Sequence, residues 1–507
     1  SPGDYARRFP AIGRVYLPTT SYDEMTEWAL PAGPAGDIVA LKHRLQDEGR
    51  EDILRFIRGG FWRNFLVKYP EVNDLHKKML HVHDKIYSLM MHNRKDTVQE
   101  ATSLPPASYI LDPLSYVQKL PPNLQDLVGQ ALDHLWAAQC NCPYWHGVFG
   151  GIYLPHIRTA NYAHLIAAEN LIDRFQHGKG AWVEVLQRDI NRDGHLELLI
   201  EGSAMNLYFD LHRGGTLFEW DWRAKRFDLL NNLTRRPEGY HRTLLEMERS
   251  RGEKVAPEGV EPEVKTIHDI VQAKEENLGE FLHYDWYRRT ALIDHCLHSH
   301  TSLNDFHRAA YGEAGDFANQ PYFHEVEKEG DGTGLNLTLR RDGHVWCGEV
   351  FSPLRVEKRL QIKGEGTELP IVYTLTNVGS QPIKTRFGVE FNFGLLSGHT
   401  EDAFYRILGD GKLDDPHLDS RGEITGVTEL ALVHQGLSLE IRLAVDQPAT
   451  LWRTPVETIS SSESGFERGY QCSCILPHWE VQLRAGQSWQ VRMKFTLINH
   501  EHRGGNG

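Results

Sequence analysis

The chain has 507 residues, 40% hydrophobic and 24% charged, with a formal net charge of −14. The length allows two to four domains, and the acidic balance disfavours nucleic acid, whose phosphates call for a basic face. No run of about 18 apolar residues exists to span a membrane, Ser1-Pro2-Gly3-Asp4 is not a signal peptide, and six cysteines in so long a chain make no disulfide framework.

Reduced thiols in a cytoplasmic protein are therefore expected. The pairs Cys140-Asn141-Cys142 and Cys472-Ser473-Cys474 have C-x-C spacing, not the C-x2-C of zinc sites. The absence of an initiator Met at Ser1 fits a cut chain, a tag scar or processing.

Residues 1–180 read mostly as helices. Ser21-Tyr22-Asp23-Glu24 has the capping-box pattern that opens a helix. Asp37–Arg58 spaces Ile38, Leu41, Leu45, Ile53 and Phe56 helically, and Asn73–Asn93 carries a stripe of Leu75, Met79, Val82, Ile86 and Leu89. His76, His81, His83 and His92 lie on or beside that segment, and helical spacing turns them mostly to solvent rather than to a metal. Pro105-Pro106, Pro113 and Pro121-Pro122 make residues 97–122 a loop or insertion. Helices resume over Asn123–Ala138 and Thr159–Phe175.

Beyond residue 180 the pattern switches to period two. Leu437, Leu439, Ile441, Leu443 and Val445 alternate with mostly polar neighbours, as do Trp489 to Leu497 and Ile371, Tyr373 and Leu375. Such strands pack as an antiparallel β-sandwich. Residues 249–275, rich in charge, Gly and Pro, read as a solvated loop.

The densest chemistry is the string Gln139-Cys140-Asn141-Cys142-Pro143-Tyr144-Trp145-His146-Gly147-Val148-Phe149-Gly150-Gly151-Ile152-Tyr153-Leu154-Pro155. Glycine lets backbone approach a ligand, Trp and Tyr supply a stacking platform, and Gln139, Asn141 and His146 supply directional hydrogen bonds to hydroxyls. Two readings stand: a small-molecule binding loop, or a packed turn that satisfies its own backbone. A second motif, Asp189-Ile190-Asn191-Arg192-Asp193-Gly194-His195-Leu196-Glu197, opens like a calcium loop with Asp189, Asn191 and Asp193. Ile200 stands where such a loop closes with Glu, so a calcium site involving Glu197 competes with an Asx-rich hairpin turn.

The long string resembles the fifth signature region of glycoside hydrolase family 57, retaining α-amylases and 4-α-glucanotransferases with an incomplete (β/α)7 barrel. Tyr16–Pro31 resembles the stretch after that family's catalytic acid, and Arg58–Glu71 the next barrel segment. His283–Arg288, Ile293-Asp294-His295, Pro455–Arg468 and Pro477-His478-Trp479 resemble its C-terminal sandwich. The resemblance implies an α+β multidomain chain: residues 1–180 an incomplete (β/α)7-barrel remnant with helical extension, residues 181–507 a large antiparallel β-sandwich. It implies processing of α-1,4-glucan or maltooligosaccharide by a nucleophilic Glu and an acid/base Asp, carboxyls about 5–5.5 Å apart.

Both lie in signature regions upstream of the Tyr16 segment and match nothing here. No catalytic residue is therefore assigned, and the chain alone is expected to be inactive. Asp23, Glu24 and Glu27 read as helix-start or supporting residues, and Asp285, Asp294 and His295 as structural or dimer-facing. The resemblance implies that Trp145 contacts glucan, with Tyr144 and His146 shaping the same wall. Some relatives carry Asp in place of Cys142, and a thiol cannot accept sugar hydroxyls as a carboxylate does. No cofactor is required beyond the calcium reading, and a homodimer is compatible. The alternative is a non-catalytic carbohydrate-binding or dimerisation protein.

Overall fold

The computed structural model describes residues 2–9, 12–17, 19–93, 113–147, 149–253, 273–408, 413–462 and 465–500. The helical part comprises α1 (Pro2–Arg8), α2 (Glu24–Ala29), α3 (Ala32–Asp47), α4 (Glu51–Leu54), α5 (Trp62–Lys68), α6 (Pro70–His92), α7 (Pro113–Val117), α8 (Pro122–Ala137) and α9 (Pro155–His177). The stripe expected on α6 is buried at Leu75, Val82, Ile86 and Leu89.

Local chemistry corrects several expectations. The single helix over Asp37–Arg58 breaks at Gly49, whose φ is +65°. There the N–H groups of Gly49 and Arg50 return to the carbonyls of Gln46 and Leu45 at 2.9 and 2.8 Å, a glycine-terminated cap. The capping box at Ser21 does not form, and no side chain caps α2. The Ser21 N–H is drawn instead to the Gly60 carbonyl at 2.8 Å. His81 does not face solvent: it is buried, with Nε2 2.8 Å from Glu201. Residues 97–112 of the expected Pro-rich loop lie outside the described residues; its remainder forms α7 and starts α8.

Among the described residues no strand precedes Val183. From there run β1 (Val183–Arg188), β2 (Glu197–Gly202), β3 (Met205–Asp210), β4 (Thr216–Trp222), β5 (Phe227–Asp228), α10 (His241–Glu253), β6 (Ala291–Leu297), α11 (Leu303–His307), β7 (Phe323–Lys328) and β8 (Gly334–Cys347). They continue as β9 (Val350–Lys363), β10 (Glu368–Asn377), β11 (Ile383–Phe393), β12 (Ala403–Ile407), β13 (Gly422–His434), β14 (Leu439–Ser462), β15 (Gly465–Leu483) and β16 (Ser488–Asn499). α10 occupies the start of the loop expected over 249–275, and residues 254–272 of that loop lie outside the described residues.

The strands form one large antiparallel sheet in the order β1-β2-β3-β4-β6-β11-β15-β14-β16-β10-β9-β8-β7, with β12 and β13 branching from β14 and β5 from β4. The sheet folds back on itself. Trp220 of β4 meets Phe495 of β16 edge to face at 5.7 Å, although these strands are not neighbours in the sheet. Lys358 of β9 reaches Asp294 of β6 at 3.0 Å and the Leu292 carbonyl at 2.8 Å. A core that includes Leu207, Trp220, Leu360, Tyr373, Phe391 and Phe495 fills the interior; burying each such side chain contributes roughly 1.5–3 kcal/mol.

Packing divides the chain into two compact units, Ser1–Pro70 with Pro237–Met247, and Glu71–Arg236 with Glu248–Gly507. The change from helix to strand at Val183 falls inside the second. No helix among the described residues is long and apolar enough to cross a membrane.

The side chains of the residues read as structural or dimer-facing are buried. Asp285 is held by Arg235 and Arg289 at 2.6 and 2.7 Å. Asp294 accepts from Tyr322 and Tyr373 at 2.6 and 2.8 Å. His295 sits between Glu313 at 2.5 Å and Glu390 at 2.9 Å. Burial alone would lower the imidazolium, but the two carboxylates outweigh it and raise His295 to about 9. The folded-state value lies above the unfolded value of about 6.5. This stabilisation is therefore complete below about pH 6.5 and lost as pH rises through about 9. Denaturant melts between pH 6.5 and 9.5 are expected to lose about 3 kcal/mol from this group, and His295→Gln should flatten that decline.

Candidate functional site

The string 139–155 forms a loop between α8 and α9, built on two 3-10 turns, Cys142–Tyr144 and Gly151–Tyr153. Three glycines permit its path. Gly147 and Gly150 have φ of +68° and +105°, and a Cβ on Gly151 would stand 1.7 Å from the His146 carbonyl oxygen. The Trp145 indole lies over Gly147, whose missing Cβ would meet the ring at 3.5 Å, and the Trp145 carbonyl accepts from the Ile152 N–H at 2.9 Å.

The predicted site residues separate into two groups. Tyr144 and His146 are buried and brace the loop: the Tyr144 hydroxyl donates to the Ala138 carbonyl at 2.8 Å, and His146 Nδ1 lies 3.2 Å from the Gly147 carbonyl. His146 also packs edge to face on Tyr153 at 5.2 Å. Gln139 and Asn141 are exposed, Trp145 is half-buried, and Phe149 is 71% exposed. The solvent face of the loop thus carries amides, aromatic rings and the free thiols of Cys140 and Cys142, without a carboxylate. It can stack on a sugar ring and bond its hydroxyls, but it has no carboxylate to attack an anomeric carbon. Phe149 stands in the motif, and sequence reasoning did not single it out.

Sequence reasoning also missed Arg158, 2% exposed. Its guanidinium donates to the Ile152 carbonyl of the loop, to Asn231 Oδ1 at 3.0 Å and to Gln471 Oε1 at 2.9 Å. Gln471 of β15 returns a bond to the Tyr153 carbonyl at 3.0 Å. Burial pushes Arg158 down to about 10, still charged at neutral pH. The loop is thereby tied to the sheet. The available signal was an Arg one turn before Tyr162 on the buried stripe of α9.

Buried charges join α6 and α9 to the first strands. Lys78 Nζ lies 2.8 Å from Glu219, 3.0 Å from Asp221 and 3.1 Å from Glu169. Lys85 meets Asp173, Glu201 and Glu169 at 2.7, 2.9 and 3.1 Å. Burial would lower the Lys78 ammonium, but Asp221, Glu169 and Glu219 hold it well above its ordinary range. His81, Glu169 and Glu201 bring one potential ligand atom each within 4.8 Å of one another. Lys85 already bonds both carboxylates, so an ammonium holds the cation's place.

The calcium motif lies on the hairpin between β1 and β2. Asp189 accepts from the N–H groups of Asp193 and Gly194 at 3.0 and 3.1 Å, and Asn191 from Asp193 at 2.8 Å. Asp193 accepts from His195 N–H at 3.0 Å and from Arg213 at 3.1 Å. Glu197 is buried, takes Ile190 N–H and Asn191 at 2.8 and 2.9 Å, and is raised by burial to about 8. These oxygens serve their own turn, beside a guanidinium, and fit a divalent cation poorly.

In the first unit, Asp23 and Glu27 hold Lys42 at 2.6 and 2.9 Å. A cleft of about 710 Å³ there is lined by Glu27, Trp28, His43, Glu238, Tyr240 and Glu246, among others. Glu238 accepts from Tyr69 and Lys68 at 2.6 and 2.7 Å. No local sequence pattern could join these distant segments.

The chain matches the family described as Alpha-amylase/4-alpha-glucanotransferase, C-terminal, over residues 189–493, and the corresponding middle domain over residues 60–105 and 114–172. It is 32% identical to Alpha-amylase 1 of Dictyoglomus thermophilum, over 97% of this chain and 62% of that protein. It is 30% identical to the 4-alpha-glucanotransferase of Thermococcus litoralis, over 92% of this chain and 58% of that protein. The crystal structure of a Thermococcus litoralis 4-alpha-glucanotransferase superposes with a TM-score of 0.69 at 27% identity, covering 97% of this chain and 60% of that one. The chain belongs to the α-amylase/4-α-glucanotransferase family, and it spans about three fifths of the length of these relatives.

The loop's shape should depend on Gly151. Gly151→Ala is expected to cost more than about 1 kcal/mol, read from denaturant melts, and to change the environment of Trp145, read from its fluorescence. An unchanged spectrum and stability would show that the loop does not need this backbone.

Proposed function

We propose that this chain is the sugar-facing and scaffolding part of an α-glucan-processing glycoside hydrolase of family 57, a retaining α-amylase or 4-α-glucanotransferase acting on α-1,4-glucans. The observation that carries the reading is the Trp145 loop, an aromatic and amide surface held by buried braces, in a chain of this family. Trp145 stacks on a glucose ring, Gln139 and Asn141 bond its hydroxyls, and Tyr144 and His146 keep the wall in place.

Residues 1–180 are proposed as the end of a barrel with a helical extension, and residues 181–507 as the sandwich. Supporting this, residues 12–17 belong to neither helix nor strand, and Ile12, Val15, Tyr16 and Leu17 are exposed by 77% or more. These are apolar side chains of the kind a barrel strand packs on its neighbours. No cofactor enters the reading. Free thiols at Cys140, Cys142, Cys296, Cys347, Cys472 and Cys474 support a reducing, cytoplasmic compartment.

The nucleophile and acid/base are proposed to lie outside these residues, because the loop offers no carboxylate and Asp23 and Glu27 are committed to Lys42. The 507-residue chain incubated with maltotriose is expected to form no product while still binding maltooligosaccharide. Trp145→Ala should weaken that binding roughly tenfold, ~1.4 kcal/mol. Longer and shorter oligosaccharides, or glucose and maltose, would place a catalytic pair inside this chain and overturn that part of the reading. Binding without turnover would equally suit the non-catalytic carbohydrate-binding alternative.

A further inference from the structure

The motif Pro477-His478-Trp479 has no part in the loop site. It lies on β15, and its His478 and Trp479 line a separate cleft of about 350 Å³ with Arg386 of β11, Glu423 of β13, Gln447 of β14 and Trp489 of β16. The rings of Trp479 and Trp489 have centroids 5.6 Å apart at 52°. Gln447 fixes both. Trp479 Nε1 donates to its backbone carbonyl and Trp489 Nε1 to its side-chain oxygen, each at 3.2 Å. Trp479 is buried and Trp489 half-buried, while Glu423 and Glu480 are exposed. Arg386 donates to Glu480 at 2.9 Å and to the Thr301 and Ser299 carbonyls at 3.0 and 3.2 Å.

His478 supplies an independent observation. It is 5% exposed, and its Nε2 has no hydrogen-bond partner within the protein. Burial, with Arg386 adding to it, lowers its imidazolium to about 3. The ring is therefore neutral, one nitrogen a donor and the other an acceptor. A buried polar atom without a partner is a standing cost, carried here at the wall of the cleft. The cleft thus offers fixed indole surface beside carboxylates, a guanidinium and an unpaired imidazole. A pyranose ring, with apolar C–H faces and a rim of hydroxyls, presents the complement. The guanidinium disfavours a metal ion, and the carboxylates disfavour a wholly apolar ligand.

We infer that this cleft is a second, non-catalytic binding site for an α-glucan, with a sugar ring on Trp489 and hydroxyls taken by Glu423 and Glu480. That the sugar is an α-glucan rests on the function proposed above; the cleft itself asks only for a sugar ring.

The test is electrophoresis of the full 507-residue chain in native gels cast with and without glycogen, alongside Trp489→Ala, Glu480→Gln and Trp145→Ala. Glu480→Gln changes an exposed residue and guards against misfolding of Trp489→Ala, and thermal melts check both. Both cleft variants are expected to weaken glycogen retardation about threefold or more, and adding Trp145→Ala to Trp489→Ala to abolish it. If the cleft variants run like the parent while Trp145→Ala loses retardation, the second site is refuted and the proposed function stands. If the parent itself is not retarded, both fall.

Discussion

The buried ammonium of Lys78 is the constraint on which the second unit depends. Removing a charge from water costs several kcal/mol, repaid only by close, well-directed partners. Glu169 of α9 and Glu219 and Asp221 of β4 supply them, so one atom of α6 fixes another helix and a strand together. Lys85 repeats the device with Glu169, Asp173 and Glu201. Arg223 adds a bond to Asp173 at 2.8 Å, yet the buried carboxyls Glu169, Asp173, Glu201, Glu219, Asp221 and Asp228 still outnumber Lys78, Lys85, Arg223 and His81 by six to four. Burial accordingly raises Glu219 well above the ordinary carboxyl range and Asp228 to about 7. The lysines hold Glu169 down at about 2, against its burial.

This lock reaches the loop through α9. Glu169 and Asp173 sit within the helix whose first turns carry Arg158, and Arg158 grips the Ile152 carbonyl, Asn231 and Gln471. A helix is stiff over this span, so where Glu169 is anchored decides where Arg158 stands, and with it the backbone beneath Trp145. A sugar site of the kind proposed gains from pre-placed surface, since each side chain ordered on binding weakens affinity. Arg158, Tyr144, His146 and Gly151 order the loop in advance and leave Trp145, Gln139, Asn141 and Phe149 at its face.

Much of this was legible in sequence where periodicity meets simple burial. The alternation at Leu439, Ile441 and Leu443, at Val491 to Leu497, and at Ile371 to Leu375 appears as strands with those side chains inside. The stripe on α6 is likewise a buried face. The reading failed where polar residues are buried or distant segments meet. His81 looks like a solvent-facing residue because nothing local announces Glu201. The cleft around Glu27 needs Glu238 and Tyr240, and the Arg158 clamp needs Gln471. The capping pattern at Ser21 was overridden by its tertiary bond to Gly60, and Gly49 ended a helix that apolar spacing alone would have continued. The residues proposed to bind stand together as one string in the sequence, but its division into braces and face is a property of the folded loop.

Chemical denaturation of Lys78→Met, followed by far-UV circular dichroism and Trp fluorescence, tests the lock most directly. Methionine keeps much of the length and removes the charge, leaving Glu169, Glu219 and Asp221 without their common partner. The account predicts a loss of about 3–5 kcal/mol, with a shifted Trp emission reporting disturbance beyond α6. Stability equal to or above that of the parent, with an unchanged spectrum, would contradict it and reduce the buried charges to a tolerated feature of the core.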